Sequence, residues 1–220
     1  MATPGHCLLQ FLQKSLKGVD DFQKYGTELH MKFWTPYQDD LYSIPYLDMI
    51  PKISFLITDN NISDIIKFVG LLDPSALVDF GFVDFNLDPN FFMDPNIQRL
   101  KNSKVQISNS TMSDEIFIKN GIKDLHIGSD VITDMGISER LIRWMADTDI
   151  SKFVITRSKK LPIFDKEVIL RELRWMEIED SGSGKSYRVY RDDGNYGVLK
   201  IVDLREKPIA DVNLIHFETF

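Results

Sequence analysis

Short runs in which apolar and polar residues alternate recur along the middle of the chain. Their centres lie 20 to 29 residues apart. A repeat of about 20–29 residues is typical of leucine-rich solenoids, in which each unit is a strand with a helix or an irregular return. The runs are Ile53–Ile57, Leu77–Phe80, Lys104–Ile107, Asp124–Ile127 and Lys152–Ile155. The pattern predicts a solenoid-like domain, an architecture that usually supplies a binding surface.

Three segments between and after these runs have the apolar spacing of helices. Ser63 is predicted to cap a helix that ends before Pro74. A second helix is predicted to begin near Ser138, and a third near Asp165. The third would place Ile169, Leu173 and Met176 on one side, at the spacing of a buried helix face.

The end of the chain changes to a period of two, which is typical of strands. An Asp-Gly pair at 193–194 between alternating residues predicts a hairpin. The strands of this predicted antiparallel meander are Tyr187–Tyr190, Gly197–Val202 and Val212–Phe217. We therefore predict the fold class α/β, with irregular leucine-rich-repeat-like strand/helix units followed by a C-terminal antiparallel β meander.

The first 50 residues lack this regularity. They contain one stretch with helix-like spacing, residues 8–16, followed by segments rich in aromatic residues and proline. Because the ends of a solenoid need covering, we expect a cap region with one helix over residues 1–50. The repeat domain is then expected over residues 51–220, with the meander at its end.

Composition and charge narrow the classes of function. Hydrophobic residues make up 43% and charged residues 27% of the chain, so we expect a packed core. The net charge of −7 disfavours a general nucleic-acid binder, although residues 151–191 carry an excess of four positive charges. The single cysteine, Cys7, excludes an internal disulfide. With no secretory signal at the N-terminus and no apolar stretch of about 20 residues, we expect an intracellular protein, cytoplasmic or nuclear, without a membrane partner.

No motif in the chain indicates catalysis. Residues 183–186 contain the Gly-Lys-Ser end of a phosphate-binding loop, but Glu179 stands where the motif needs glycine, and we interpret the segment as a flexible loop. The four histidines are far apart and none forms a ligand-spaced pair, so we predict no metal and no cofactor. One alternative stays open: a small enzyme whose site is assembled from distant residues, with polar groups converging around Lys185 or His126.

Two sets of side chains are candidates for binding a protein partner. Affinity at protein surfaces depends on a few aromatic or arginine anchors. The aromatic set lies in the cap region: Trp34, Tyr37, Tyr42 and Tyr46. The basic set follows the fifth run and suits an acidic protein or, as a further alternative, a nucleic acid bound through residues 151–191: Arg157, Lys159 and Lys160.

Several segments resemble the nematode F-box-associated domain. Residues 138–145, Ser-Glu-Arg-Leu-Ile-Arg-Trp-Met, are similar to the helix of that family that reads Leu-x-x-Phe-Leu-x-x-Trp. Residues 168–175, Val-Ile-Leu-Arg-Glu-Leu-Arg-Trp, resemble its following Ile-Leu-x-x-Leu-x-Trp segment. Residues 187–201, with an Arg-Asp-Asp-Gly turn, resemble its closing hairpin. The resemblance covers residues 50–205.

The resemblance implies the substrate-binding half of an adaptor for a ubiquitin ligase. In such an adaptor an F-box docks on a Skp1-type subunit, and the associated domain recognises the protein to be modified. Residues 1–50 lack the Leu-Pro pair that opens an F-box, so we expect the F-box itself to be missing and a Skp1-type partner only if its function survives. We therefore expect a non-catalytic protein-recognition module, a substrate-binding or assembly subunit with protein partners.

Overall fold

The strands in the described part of the chain form one mixed sheet. A computed structural model describes residues 19–25, 28–33, 52–57, 62–70, 72–82, 87–100, 102–146, 151–158, 160–178, 184–203 and 212–220. The strands are β1 Val19–Tyr25, β2 Glu28–Phe33, β3 Lys52–Ile57, β4 Leu77–Phe82, β5 Asn102–Ile107, β6 Asp124–Gly128, β7 Lys152–Ser158, β8 Arg174–Ile178, β9 Gly184–Tyr190, β10 Tyr196–Val202 and β11 Val212–Thr219. Their order across the sheet is β1-β2-β3-β4-β5-β6-β7-β11-β10-β9-β8.

The described helices are short and lie between these strands in the chain. They are α1 Ile62–Val69, a 3₁₀ helix Pro89–Met93, α2 Pro95–Gln98, α3 Asp114–Lys119, α4 Asp134–Ala146 and α5 Lys166–Ile169. Strands β2 to β7 are parallel and follow chain order, so each neighbouring pair from β3 onwards is joined by a helical return. The predicted α/β class and the repeated strand/helix units are confirmed.

The C-terminal meander continues the same sheet. Strands β8, β9, β10 and β11 are antiparallel to their neighbours, and β11 pairs antiparallel with β7. The turn between β9 and β10 contains Gly194 at φ 88°, a left-handed conformation that glycine adopts without strain. The predicted meander is therefore confirmed, and it gains a fourth strand, β8.

That fourth strand corrects the third predicted helix. Only one helical turn, α5, follows Asp165; Ile169 within it and Leu173 after it are buried, as their spacing predicted. From Arg174 onwards the chain pairs with β9 instead, and the Trp175 ring packs edge-on against Tyr187 with centroids 5.5 Å apart. Met176 is 47% exposed on the strand rather than buried in a helix. Pairing with β9 overrides the local helical spacing.

Other predicted boundaries shift. Helix α1 begins at Ile62, so Ser63 lies inside it, and α4 begins at Asp134, four residues before the predicted start at Ser138. Residues 19–25 and 28–33 are strands, and β2 pairs with β3, so a boundary at residue 50 falls between neighbouring strands of one sheet. The helix predicted over residues 8–16 lies outside the described residues.

Aspartates begin the short helices on one side of the sheet. The Asp88 and Asp94 side chains accept hydrogen bonds from the backbone N–H groups of Asn90 and Asn96, at 2.9 and 2.8 Å. A proline follows each aspartate at the first helical position, where its missing N–H has no cost. Two Asp-Pro pairs that look like plain turns in the sequence therefore begin helices.

A buried arginine joins α3 to α4. The Arg140 guanidinium is fully buried and donates to the carbonyl oxygens of Phe117 and Ile122, and it stacks 4.6 Å from the centroid of the Phe117 ring. Burial, with a smaller contribution from Arg143, lowers the pKa of Arg140 to about 9, so the group is still charged at neutral pH. A cation suits the negative end of the α3 dipole and satisfies carbonyls that lack a helical partner.

The helices pack on one side of the sheet, where aromatic rings fill the core. The Phe217 ring of β11 lies between Trp144 of α4 and Phe153 of β7, at centroid distances of 4.9 and 5.2 Å. These three rings connect the parallel units, the longest helix and the meander. We define this side as the helix side of the sheet.

We predict that Phe217→Ala lowers the free energy of unfolding by about 3–5 kcal/mol, because it leaves a cavity where three elements meet. Phe220→Ala is the matched control, since Phe220 is 66% exposed, and its loss should cost under about 1 kcal/mol. Urea unfolding followed by circular dichroism measures both. Equal losses for the two variants would contradict this description of the core.

Candidate protein-binding face

The opposite side of the sheet is lined by half-exposed side chains, with charged residues standing among apolar ones such as Val154, Val198 and Leu214. Along β7, Phe153, Ile155 and Arg157 are buried on the helix side, whereas the residues between them are partly exposed. The same alternation holds in β4, β5 and β11. None of the described helices packs on this second side. We call the side chains that β4 to β11 place there the open face.

A row of alternating charges crosses the open face. Each member is the register partner of the next on the neighbouring strand. Lys104 Nζ lies 4.0 Å from Asp124 Oδ2, and Lys152 Nζ lies 3.8 Å from Glu218 Oε1. This charge row runs from β4 through β7 into β11: Asp79, Lys104, Asp124, Lys152 and Glu218. It therefore passes without a break from the parallel units into the meander.

Two histidines lie beside the charge row. His126 Nε2 is 3.0 Å from Asp124 Oδ1, and His216 Nε2 is 3.6 Å from Glu218 Oε2. Burial alone would raise the pKa of Asp124, but the contact with His126 and the charges of nearby lysines outweigh it and hold that pKa below its usual value. Both imidazoles are about one-third exposed, so a partner bound on the open face would contact them.

The open face becomes basic and aromatic towards its outer edge. Strands β8 to β10 place the cations Arg174, Arg188 and Lys200 on it and no acidic residue. The Arg188 guanidinium lies 4.6 Å from the centroid of the Tyr196 ring, and that of Arg174 lies 6.0 Å from the centroid of Tyr190. Among the described residues, neither arginine forms an ion pair. We call Arg174, Met176, Arg188, Tyr190 and Tyr196 the basic edge.

The groups considered for an enzyme do not converge. Lys185 lines a cleft of 410 Å³ on the helix side, together with Lys166, Tyr187 and Asp203, whereas His126 lies on the opposite side of the sheet. Gly184 and Lys185 begin strand β9, so the interpretation of this segment as a flexible loop is wrong where the structure describes it. In the described part of the chain, no three His, Cys, Asp or Glu side chains are placed to hold a metal ion.

The basic candidate residues have different environments. Arg157 is buried, donates to the Ile132 carbonyl at 2.8 Å and to Asp134 at 3.0 Å, and stacks on Phe164 at 4.1 Å, so its prediction as a surface anchor is wrong. Lys160 is exposed in the turn after β7. Five candidates lie outside the described residues: Trp34, Tyr37, Tyr42, Tyr46 and Lys159.

The charge row was missed in the sequence although a signal for it exists. Lys104, Asp124 and Lys152 each open one of the predicted runs, and their charges alternate from one run to the next. Equivalent positions of parallel units lie side by side in a solenoid, so this alternation predicts neighbouring opposite charges. The fifth member, Glu218, cannot be found this way, because it requires the pairing of β11 with β7.

Comparison with protein-family models, with curated proteins and with solved structures gives no match. The described helices include none that is both long and apolar enough to span a membrane.

We predict that acidification destabilises the protein partly through His216. Burial and the charges of Lys152 and His126 lower the pKa of His216, against the opposing effects of Glu218 and Asp124. The unfolded chain then binds more protons than the folded one, so the free energy of unfolding falls as the pH drops through about 6.5 and below. His216→Asn should flatten this dependence in urea unfolding between about pH 7.5 and about pH 5. An unchanged slope would contradict the prediction.

Proposed function

We propose that the chain is a non-catalytic protein-recognition module and that the open face is its binding surface. One observation carries this proposal: the charge row is unbroken from Asp79 to Glu218 and lies on the side of the sheet without described helices. A broad face with fixed alternating charges suits another folded protein, because complementary charges steer association and set the register of two surfaces.

The composition of the open face supports an exchange of ion pairs on binding. Its pairs are partly exposed and 3.0 to 4.0 Å long, so they contribute little to stability and can give way to pairs with a partner. The tyrosines and arginines of the basic edge supply the residue types that dominate binding energy in protein interfaces. The aromatic residues of the cap region stay a separate prediction, because they lie outside the described residues.

Within this proposal, the resemblance to F-box-associated domains supports a substrate-binding or assembly subunit derived from an F-box adaptor. Such a subunit works inside the cell, in the cytoplasm or nucleus, and the single cysteine fits a reducing compartment. A Skp1-type partner, and with it a ubiquitin ligase, belongs to this proposal only if binding to that subunit is measured.

The alternatives have weaker support. The basic residues of segment 151–191 do not form one patch: Lys152, Arg174 and Arg188 lie on the open face, whereas Lys166 and Lys185 lie on the helix side. A nucleic-acid surface would need them together. In the cleft, Lys166 lies 5.4 and 5.7 Å from the rings of Trp175 and Tyr187 and 3.9 Å from Glu177, so it packs with its neighbours.

Quantitative affinity capture with two matched variants tests the proposal. Gln106 is exposed on the open face beside His126, and Gln106→Arg adds bulk and charge there without removing a described contact. Asn90→Arg makes the same chemical change at an exposed position of the 3₁₀ helix. We predict that the proteins captured by the wild type are recovered at least about tenfold less with Gln106→Arg and equally with Asn90→Arg.

Equal recovery of all partners by both variants would overturn the open face as the binding surface. Reduced recovery of partners with Asn90→Arg but not with Gln106→Arg would place the binding surface on the helix side of the sheet. A Skp1-type protein that is captured by all three forms would support the ligase link and place its docking site elsewhere on the chain.

A further inference from the structure

Strand β8 ends the sheet with an unpaired edge. It is the last strand in the sheet order and pairs only with β9 among the described strands. Its first four residues, Arg174 to Glu177, are exposed on both sides of the sheet. An edge of this kind has a row of free N–H and C=O groups, to which another extended chain can add by strand pairing.

The two sides of β8 call for different side chains in an added strand. On the open face, Arg174 and the neighbouring Arg188 have no acidic partner among the described residues, and each lies over a tyrosine ring. On the helix side, Trp175 is 37% exposed and offers an apolar surface, beside Glu177, whose carboxylate lies 3.9 Å from Lys166 Nζ. Because side chains of a strand alternate between two sides, the complement is a segment that alternates acidic with apolar residues.

We propose that β8 binds an extended acidic peptide segment of a partner protein by β-strand addition. A carboxylate opposite Arg174 would pair with it on the open face, and Arg188, one strand further in, would add to the positive potential there. The apolar residues between the carboxylates would pack against Trp175. Charge decides between this occupant and a second copy of the chain: pairing two β8 strands would bring two sets of Arg174 and Arg188 onto one face without an acid. The inference rests on the proposed function and names the chemistry of its partner.

A synthetic peptide tests this directly with the full-length chain. The probe is a fluorescein-labelled nonapeptide that alternates Glu and Val, and binding is followed by fluorescence anisotropy. Two control peptides need no protein variant: one has the same composition with all Glu residues in one block, and one carries N-methyl groups that remove the N–H donors of one edge. We predict binding of the alternating peptide only, since pairing and charge must both be satisfied.

The protein variants separate charge from folding. Arg174→Glu should weaken binding at least about tenfold, because it places like charges together. Arg188→Glu should weaken it by a smaller factor, because Arg188 lies one strand further from the peptide. Arg174→Gln should weaken binding less. Because it removes the charge without reversing it, it serves as the control that separates loss of charge from misfolding of the charge-reversed forms. Lys119→Glu reverses an exposed cation on α3, and it should leave the affinity unchanged. Slower amide hydrogen exchange over residues 174–178 on binding would locate the peptide at β8.

Each other outcome overturns the inference. Equal binding of the blocked or N-methylated peptide would mean attraction by charge without strand pairing. Tighter binding of a single-stranded oligo(dT) would make the basic edge a nucleic-acid surface. Concentration-dependent dimerisation that Arg174→Glu strengthens would assign the edge to a second copy. If the peptide fails to bind while Gln106→Arg still reduces the capture of partner proteins, the inference about β8 fails and the proposed function stands.

Discussion

The insertion of β11 between β7 and β10 is the constraint on which the rest of the structure depends. The last strand in the chain returns past β8, β9 and β10 to pair with the last parallel strand. Phe217 then fills the space between Trp144 and Phe153. Glycine is required at position 197 on β10, because a Cβ there would collide with the Phe217 ring. The parallel units and the meander become one sheet through this strand.

The same insertion creates the open face. β11 brings Glu218 beside Lys152 and His216 beside Val154, so the charge row formed by the parallel units continues into the meander. On the helix side, the same strand presents Ile215 and Phe217 to the core. β11 therefore contributes to both sides of the sheet: Ile215 and Phe217 pack against the core, and His216 and Glu218 lie on the open face.

Much of this fold could be predicted from the sequence because its signals are local. The parallel strands and the strands of the meander follow from alternating residues and turns, as in Lys152–Ile155 and the Asp-Gly pair after β9. The failures have non-local causes. The segment that includes Met176 has helical spacing, but residues 174–178 pair with β9 as a strand. Arg157 resembles a surface cation in the sequence, but the alternation of β7 points it into the core, where it donates to Asp134 and stacks on Phe164. Pairing partners decide both cases.

The candidate site was less predictable than the fold. The aromatic candidates follow from composition alone, whereas the open face depends on register. Register places Asp79, Lys104 and Asp124 side by side, although they are 25 and 20 residues apart in the chain. Within the meander, Arg188 meets Tyr196 across a hairpin, a contact that the predicted turn already allows. The sequence therefore contains signals for the charges of the parallel units and for the hairpin contact of the meander. It contains none for the pairing of β11 with β7, which joins these two parts of the open face.

Lysine footprinting by mass spectrometry tests whether the open face is one continuous binding surface. Labelling is compared for the protein alone and for the protein bound to a captured partner. A water-soluble acetylating reagent modifies exposed amines at rates that fall when a partner covers them. A continuous binding surface on the open face predicts slower labelling of Lys104, Lys152 and Lys200 together, on three strands that span both halves of the sheet, and unchanged labelling of Lys119 and Lys160. Slower labelling of Lys119 or Lys160 with no change at Lys104 and Lys152 would contradict the claim that the open face is one continuous binding surface.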